Sequence, residues 1–249
     1  MPTTMMRSAE KFYKRIDKKH NLYLESQTNI AINKSYLNNE KGAEESLIAL
    51  TKSFPNNENT FISLANFYKS KKQCRKAIPH YSKVLNNFIL TNDQKWRILF
   101  MRGICYEKIN NWESAESDLL ASININNNSP QVLNYLAYSW IERNMFIDKS
   151  LKMLEIAYDK NPENYYILDS LAWAHYKKNN YQIAAHLMEE VTMNVPDEAI
   201  SLDHLGDIYF AMGREREGYY MWKQARDLAS PEDDIIDSVN IKINKYNAG

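Results

Sequence analysis

Small residues recur along the chain with a period of 34. Ala31, Ala65, Gly103, Ala137, Ala172 and Gly206 form one register. Ala9, Ala43, Ala77, Ala115, Ser150, Ala184 and Gly218 form a second. Bulky residues keep the same time. Ile30, Leu64, Leu136, Leu171 and Leu205 precede the first register by one, and Tyr68, Tyr106, Trp140, His175 and Tyr209 follow it by three. Tyr13, Leu47, Tyr81, Leu119, Leu154, Met188 and Trp222 lie four past the second register. Ile16, Leu50, Val84, Ser122, Ala157, Val191 and Ala225 lie seven past it. Spacings of three, four and seven trace one face of a helix, so each repeat predicts two amphipathic helices. Pro55, Pro162, Pro196 and Pro231 mark helix ends. Asn38-Asn39, Asn110-Asn111, Asn179-Asn180 and Met212-Gly213 mark turns in which left-handed backbone is tolerated.

Composition narrows the function classes. The 249 residues hold 31 Lys+Arg and 31 Asp+Glu, which excludes a strongly basic nucleic-acid coat and an acidic tail as the main theme. Only 6 glycines argue against Gly-rich phosphate loops and tight hairpins. No apolar stretch approaches the roughly 18 residues of a membrane span, and no apolar segment follows the basic start. A cytoplasmic protein is the expectation, with a periplasmic or envelope location if the true start lies upstream. Cys74 and Cys105 cannot build a disulfide framework or a zinc site alone, and they read as inert thiols in separate repeats. His20, His80, His175, His186 and His204 form no metal or nucleophile motif. His175 reads as a packed near-core residue. Asp233-Asp234 and Glu189-Glu190 read as helix-end charge and solvated surface. No cofactor, metal site or enzymatic constellation is expected.

Leu205-Gly206, Tyr209, Gly213, Gly218, Trp222 and Ala225 together resemble the tetratricopeptide-repeat (TPR) motif. Leu171-Ala172, Ala184, Met188, Val191 and Pro196 repeat it. The resemblance implies an all-α fold, an α-α superhelix of about six helical hairpins at 24–57, 58–91, 96–129, 130–164, 165–198 and 199–232. The small positions allow close helix crossing. Residues 1–23 form a basic half repeat, in which 7–20 read as a second helix. Either further repeats precede it, or the basic helix is itself a cap. Residues 233–249 form a capping helix with Ile235, Ile236, Val239 and Ile243 on one face. Lys34 and Arg102 break the core pattern, so repeats one and three look less secure. Pro79 should kink its helix or delay its start. Residues 88–95 hold four extra residues, expected as a longer loop, and one more lies near 144–147.

In the C-terminal hundred residues, the segments beginning Leu133-Asn134-Tyr135-Leu136-Ala137-Tyr138-Ser139-Trp140, Ile167-Leu168-Asp169-Ser170-Leu171-Ala172-Trp173-Ala174 and Asp203-His204-Leu205-Gly206-Asp207-Ile208-Tyr209 resemble the C-terminal part of long proteobacterial TPR proteins, of an alphaproteobacterial type. These include adaptors that hold a processing protease and its substrates together. The resemblance implies a non-catalytic scaffold that binds protein or peptide and leaves homo-oligomerisation open. In TPR hairpins the first helices line a concave groove. Carried onto this chain, its groove positions are Tyr36; Asn66 and Lys69; Arg97, Phe100 and Glu107; Asn134, Tyr138 and Glu142; Tyr166, Asp169, Trp173 and Tyr176; and Asp203, Asp207 and Phe210. Two readings of Trp173 and Tyr138 stand: exposed hot-spot aromatics, or packing against the next helix pair. The clamp for acidic chaperone tails is not matched, since its lysine place holds Ile62 and later places hold Met101, Gln131 and Tyr135. An acidic groove suits a neutral or basic, partly apolar segment. RNA binding by helical hairpins is the alternative, but it needs a basic groove where Asp169, Asp203 and Asp207 stand.

Overall fold

A computed structural model describes residues 2–230 and 235–248. Pro231 and Asp233-Asp234 lie outside the described residues. The chain divides into two compact units, residues 1–126 and 127–249. The first holds α1 (Pro2–Tyr13), α2 (Tyr23–Tyr36), α3 (Glu40–Ser53), α4 (Glu58–Ser70), α5 (Cys74–Asn87), α6 (Asn92–Lys108) and α7 (Trp112–Ile125). The second holds α8 (Pro130–Glu142), α9 (Ile147–Lys160), α10 (Tyr165–Lys177), α11 (Tyr181–Asn194), α12 (Ala199–Ala211), α13 (Glu215–Leu228) and α14 (Ile236–Ala248). The fold is all-α. In each unit, every helix packs on the next in chain order. First helices of successive hairpins also touch, α2 on α4 in one unit and α8 on α10 on α12 in the other.

The small-residue registers sit at the crossings. Ala31, Ala65, Ala137 and Ala172 are fully buried, as are Ala43, Ala77, Ala115, Ser150 and Ala184. Replacing such a residue by a larger one would push the two backbones apart. Gly206 shows the limit of this closeness. A Cβ there would lie 2.4 Å from the Trp222 ring and 3.1 Å from the Gly218 carbonyl oxygen.

The hairpin turns share one device. The residue three past the first register accepts a backbone N–H from five residues on: Gln73 to Tyr68 (2.8 Å), Asn111 to Tyr106 (2.9 Å), Asn180 to His175 (2.9 Å) and Arg214 to Tyr209 (2.9 Å). This closure requires a left-handed residue in the turn. Asn38, Asn110 and Asn179 supply it at φ 62°, and Gly213 at φ 79°. Lys72 does the same at φ 57°, without the side-chain tolerance of asparagine. The extra residue near 144–147 produces a longer turn, with both Asn144 and Phe146 left-handed.

Four expectations change. The extra residues before repeat three lengthen α6, not the loop. α6 has 17 residues where α4 and α8 have 13, a difference of four, and its preceding loop keeps four residues (88–91). The cause is local. Thr91 and Gln94 form a reciprocal capping box that starts the helix one turn early. Pro79 does not delay α5, which runs through it from Cys74. Its missing N–H would have served the Arg75 carbonyl, and both residues are exposed, so water can take that role. The helix expected over 7–20 is α1, Pro2–Tyr13, and Ile16 lies beyond it. Asp17 and His20 bond the backbone N–H of Lys19 and Leu22 and compete with helix. Finally, the polar residues in core registers find partners. Lys34 donates to Ser46 Oγ at 2.8 Å. Arg102 forms a fork on Asp118 at 2.7 and 2.8 Å and reaches Ser82 Oγ at 2.9 Å. Burial opposes charge on Arg102, but the Asp118 carboxylate outweighs it and holds the guanidinium ionised.

Candidate functional site

The groove positions of residues 127–249 come together on α8, α10 and α12. Trp173 is the centre. Its ring lies between His204 at 4.1 Å and Tyr176 at 4.5 Å, both nearly parallel to it. Its indole N–H donates to Glu142 Oε1 at 2.6 Å. Trp173 is only 6% exposed, so it packs against the next hairpin and is not an open anchor. Tyr138 is half-buried, tilted against His204 at 6.4 Å.

Below this stack lies a polar network. His204 Nδ1 stands 2.9 Å from Asp169 Oδ1, and Ser201 donates to Asp169 Oδ2 at 2.6 Å. All three are buried. Burial alone would lower the His204 pKa, but the Asp169 charge and hydrogen bond outweigh it, and the imidazole is held above its ordinary range. The trio has serine, histidine and aspartate, yet the serine hydroxyl points to the carboxylate. A nucleophile would need its hydrogen bond to the imidazole. The arrangement serves to orient His204 under Trp173.

The acids expected to meet a partner are engaged internally. Lys242 of α14 reaches Asp203 Oδ1 at 2.7 Å and Asp207 Oδ2 at 2.8 Å. Trp222 Nε1 donates to Asp207 Oδ1 at 2.9 Å. Burial raises the Asp203 pKa more than Lys242 lowers it, and neighbouring Asp207 adds to the rise. Tyr176 is pushed up to about 12, first by burial and then by the charge of Asp207. The expected acidic groove is therefore largely neutralised. Lysine is separated from its two aspartates by a whole repeat in sequence, and only the fold joins them.

The outward rim carries Glu142, Tyr166 (66% exposed) and Phe210 (39% exposed). Asn134 Oδ1 is buried with no hydrogen-bond partner among the described residues. Beyond Asp207 the face ends in an open cavity of about 530 Å³, lined by Phe210, Glu215, Trp222, Lys242, Lys245 and Tyr246. Phe210 and Trp222 rings lie 5.2 Å apart, and Tyr246 stacks on Tyr219 at 4.7 Å.

In residues 1–126 the expected positions are exposed, buried or engaged within their own repeat. Tyr36 is exposed and far in sequence from the rest. Asn66 accepts the Tyr81 hydroxyl at 2.6 Å. Arg97 pairs with Asp93 at 3.1 Å. Phe100, expected in the groove, is instead buried, on a helix that also buries Trp96, Ile98 and Leu99, because a ring without a polar atom gains most by leaving water. His175 is half-buried and contacts Asn180 at 3.4 Å. Glu189 accepts the Tyr209 hydroxyl at 2.7 Å and is not merely solvated surface.

Ser201, Trp222, Lys242, Lys245 and Tyr246 were not among the expected site residues. One signal could have found part of the network. Its pairs are one repeat apart: Asp169 with Ser201 and His204, Glu142 with Trp173, Asp207 with Lys242. Complementary polar residues at that separation are cross-hairpin partners.

These features define an α-helical repeat protein whose first helices present an aromatic face. Comparisons agree on the fold. No model of a known protein family matches the chain. The TPR repeat-containing protein PA4667 of Pseudomonas aeruginosa is 26% identical over 110 residues, covering 44% of this chain. The matched part is 18% of that relative's length. The APC/C hetero-tetramer Cut9-Hcn1 contains a similar chain, with TM-score 0.78 and 12% identity over 97% of this chain and 46% of that one. YrrB, described as a TPR protein with an unusual peptide-binding site, matches with TM-score 0.56 and 14% identity over 80% of this chain and 99% of its own. The fold is that of tetratricopeptide-repeat proteins. Among the described residues, no helix is long and apolar enough to cross a membrane.

Proposed function

We propose that the chain is a non-catalytic scaffold that binds a polypeptide segment along the α8, α10 and α12 face of residues 127–249. One observation carries this reading. The exposed rings of Tyr166 and Phe210 stand over a buried stack of His204 and Trp173 that polar contacts lock in place, and Phe210 walls an open cavity with Trp222 and Tyr246. Exposed rings held on a rigid layer cost little entropy to engage, and the cavity suits an apolar side chain. With its acids neutralised internally, the face selects shape and apolar character first and positive charge second, through the exposed Glu142. The peptide-binding site named for YrrB supports the same use of this fold. The narrower form of the proposal is an adaptor for a processing protease or an envelope assembly, carried by the resemblance of the C-terminal hundred residues.

Trp173 and Asp169 are poor test positions because both are buried, and losing either would disturb folding. Tyr166, Phe210 and Glu142 are exposed. Peptides selected by display against the full chain should bind with affinity that falls about tenfold in Phe210→Ala, a loss of about 1.4 kcal/mol. Tyr166→Ala should weaken them as well, with thermal unfolding unchanged. Affinity indifferent to both substitutions, or a salt-sensitive shift of RNA in place of peptide binding, would remove the proposal.

A further inference from the structure

Cys74 and Cys105 lie in different repeats, 31 residues apart, yet the fold joins them. Cys74 opens α5 and Cys105 lies within α6, and the two helices pack together. Both side chains belong to one buried cluster with Tyr81, Tyr68 and Ile98. Cys74 is 5% exposed and Cys105 fully buried, and burial first, then the neighbouring Cys74, push the Cys105 thiol up. Their surroundings are unequal. Cys74 lines a cavity of about 540 Å³ whose other walls include Lys72, Arg75, Lys76 and Lys108. Cys105 stands behind it, away from solvent.

We propose that Cys74 and Cys105 are a peroxide-sensitive thiol pair, in which Cys74 is oxidised through the cationic cavity and Cys105 then closes an intramolecular disulfide. A sensor cysteine needs an electropositive, reachable setting and a second thiol poised beside it. The Cys74 sulfur, as thiolate, attacks one oxygen of a hydroperoxide. The O–O bond breaks, Cys74 becomes a sulfenic acid, and the leaving alkoxide or hydroxide takes a proton. The Cys105 sulfur then attacks the Cys74 sulfur. The S–S bond forms, the S–O bond breaks, and the departing hydroxide leaves as water with the Cys105 proton. Two thiols lose two electrons, and the hydroperoxide gains them. Burial keeps the Cys105 thiol protonated, so it does not compete for the first step. The bond would clasp the second hairpin to the third.

The test is stoichiometric hydrogen peroxide on the full chain, followed by alkylation and a non-reducing peptide map. The expected result is one cross-linked peptide joining positions 74 and 105, with both free thiols lost in step. In Cys105→Ala, Cys74 should stop at a sulfenic acid that a 1,3-dione labels. In Cys74→Ala, Cys105 should stay a thiol. Circular dichroism establishes that each variant is folded, and Cys105→Ser and Cys74→Ser serve where alanine disturbs packing. Equal oxidation of both cysteines, independent over-oxidation without a cross-link, no reaction, or reaction only at the rate of global unfolding would each overturn the proposal.

Discussion

Gly206→Ala isolates the physics of the helix crossings. In an isolated helix this change stabilises by about 1 kcal/mol, because glycine loses more backbone freedom. Here the new methyl would stand 2.4 Å from Trp222 Cδ1 and 2.5 Å from Nε1. The indole cannot swing aside freely. Trp222 is 4% exposed, packs on Phe210 and donates its N–H to Asp207. Inserting a methylene into a packed core costs about 1–3 kcal/mol. The net expectation is a loss of about 1 kcal/mol for Gly206→Ala, and near 3 kcal/mol for Gly206→Leu, where the branched side chain also meets the Gly218 backbone. Gly103→Ala is the control. Its methyl would lie 3.1 Å from the Leu119 side chain and 3.3 Å from the Ala115 carbonyl oxygen, contacts much looser than at Gly206, so helix propensity offsets most of the crowding and the change should be near neutral. Urea denaturation followed by circular dichroism reads both. In a Trp222→Leu background the Gly206→Ala loss should disappear. A stabilised Gly206→Ala chain with Trp222 intact would refute the reasoning, because it would mean that the crossing has room.

Asp118→Ala leaves the Arg102 guanidinium largely buried without its carboxylate, and should cost about 3 kcal/mol in denaturation. Arg102→Leu with Asp118→Leu should recover most of that loss. Thr91→Ala removes the capping box and should cost about 1 kcal/mol, seen as faster amide exchange confined to the first turn of α6. The His204 pKa lies above its ordinary 6.5 in the folded chain, so its stabilising contribution is full below about 6.5 and is lost as pH rises through the folded value. His204→Gln should therefore lower the melting temperature more at pH 6 than at pH 9. A difference independent of pH would sink the assignment of charge to that imidazole.

The fold was legible because it rests on local rules repeated. A small residue every 34 positions and an apolar residue three, four or seven away mark helix faces whatever surrounds them. The turn asparagines declare their left-handed backbone in the same way. The extra turn of α6 is not legible from register, because a four-residue insertion reads alike as loop or helix. The Thr91-Gln94 box decides between them, and it was visible in the sequence.

The site was only half legible. Register alone placed Trp173, Asp169, Asp203 and Asp207 on one face of the hairpins. Register cannot say what stands opposite, because a helix position is set by the turn it belongs to, whereas its partner is set by the neighbouring hairpin. Thus Lys242 pairs with two aspartates, His204 and Tyr176 close over Trp173, and Cys74 joins Cys105 in one buried cluster. Periodicity along the chain determined which residues turn inward. Distances between hairpins, which exist only after stacking, decided which of those are spent on one another and which remain for a partner.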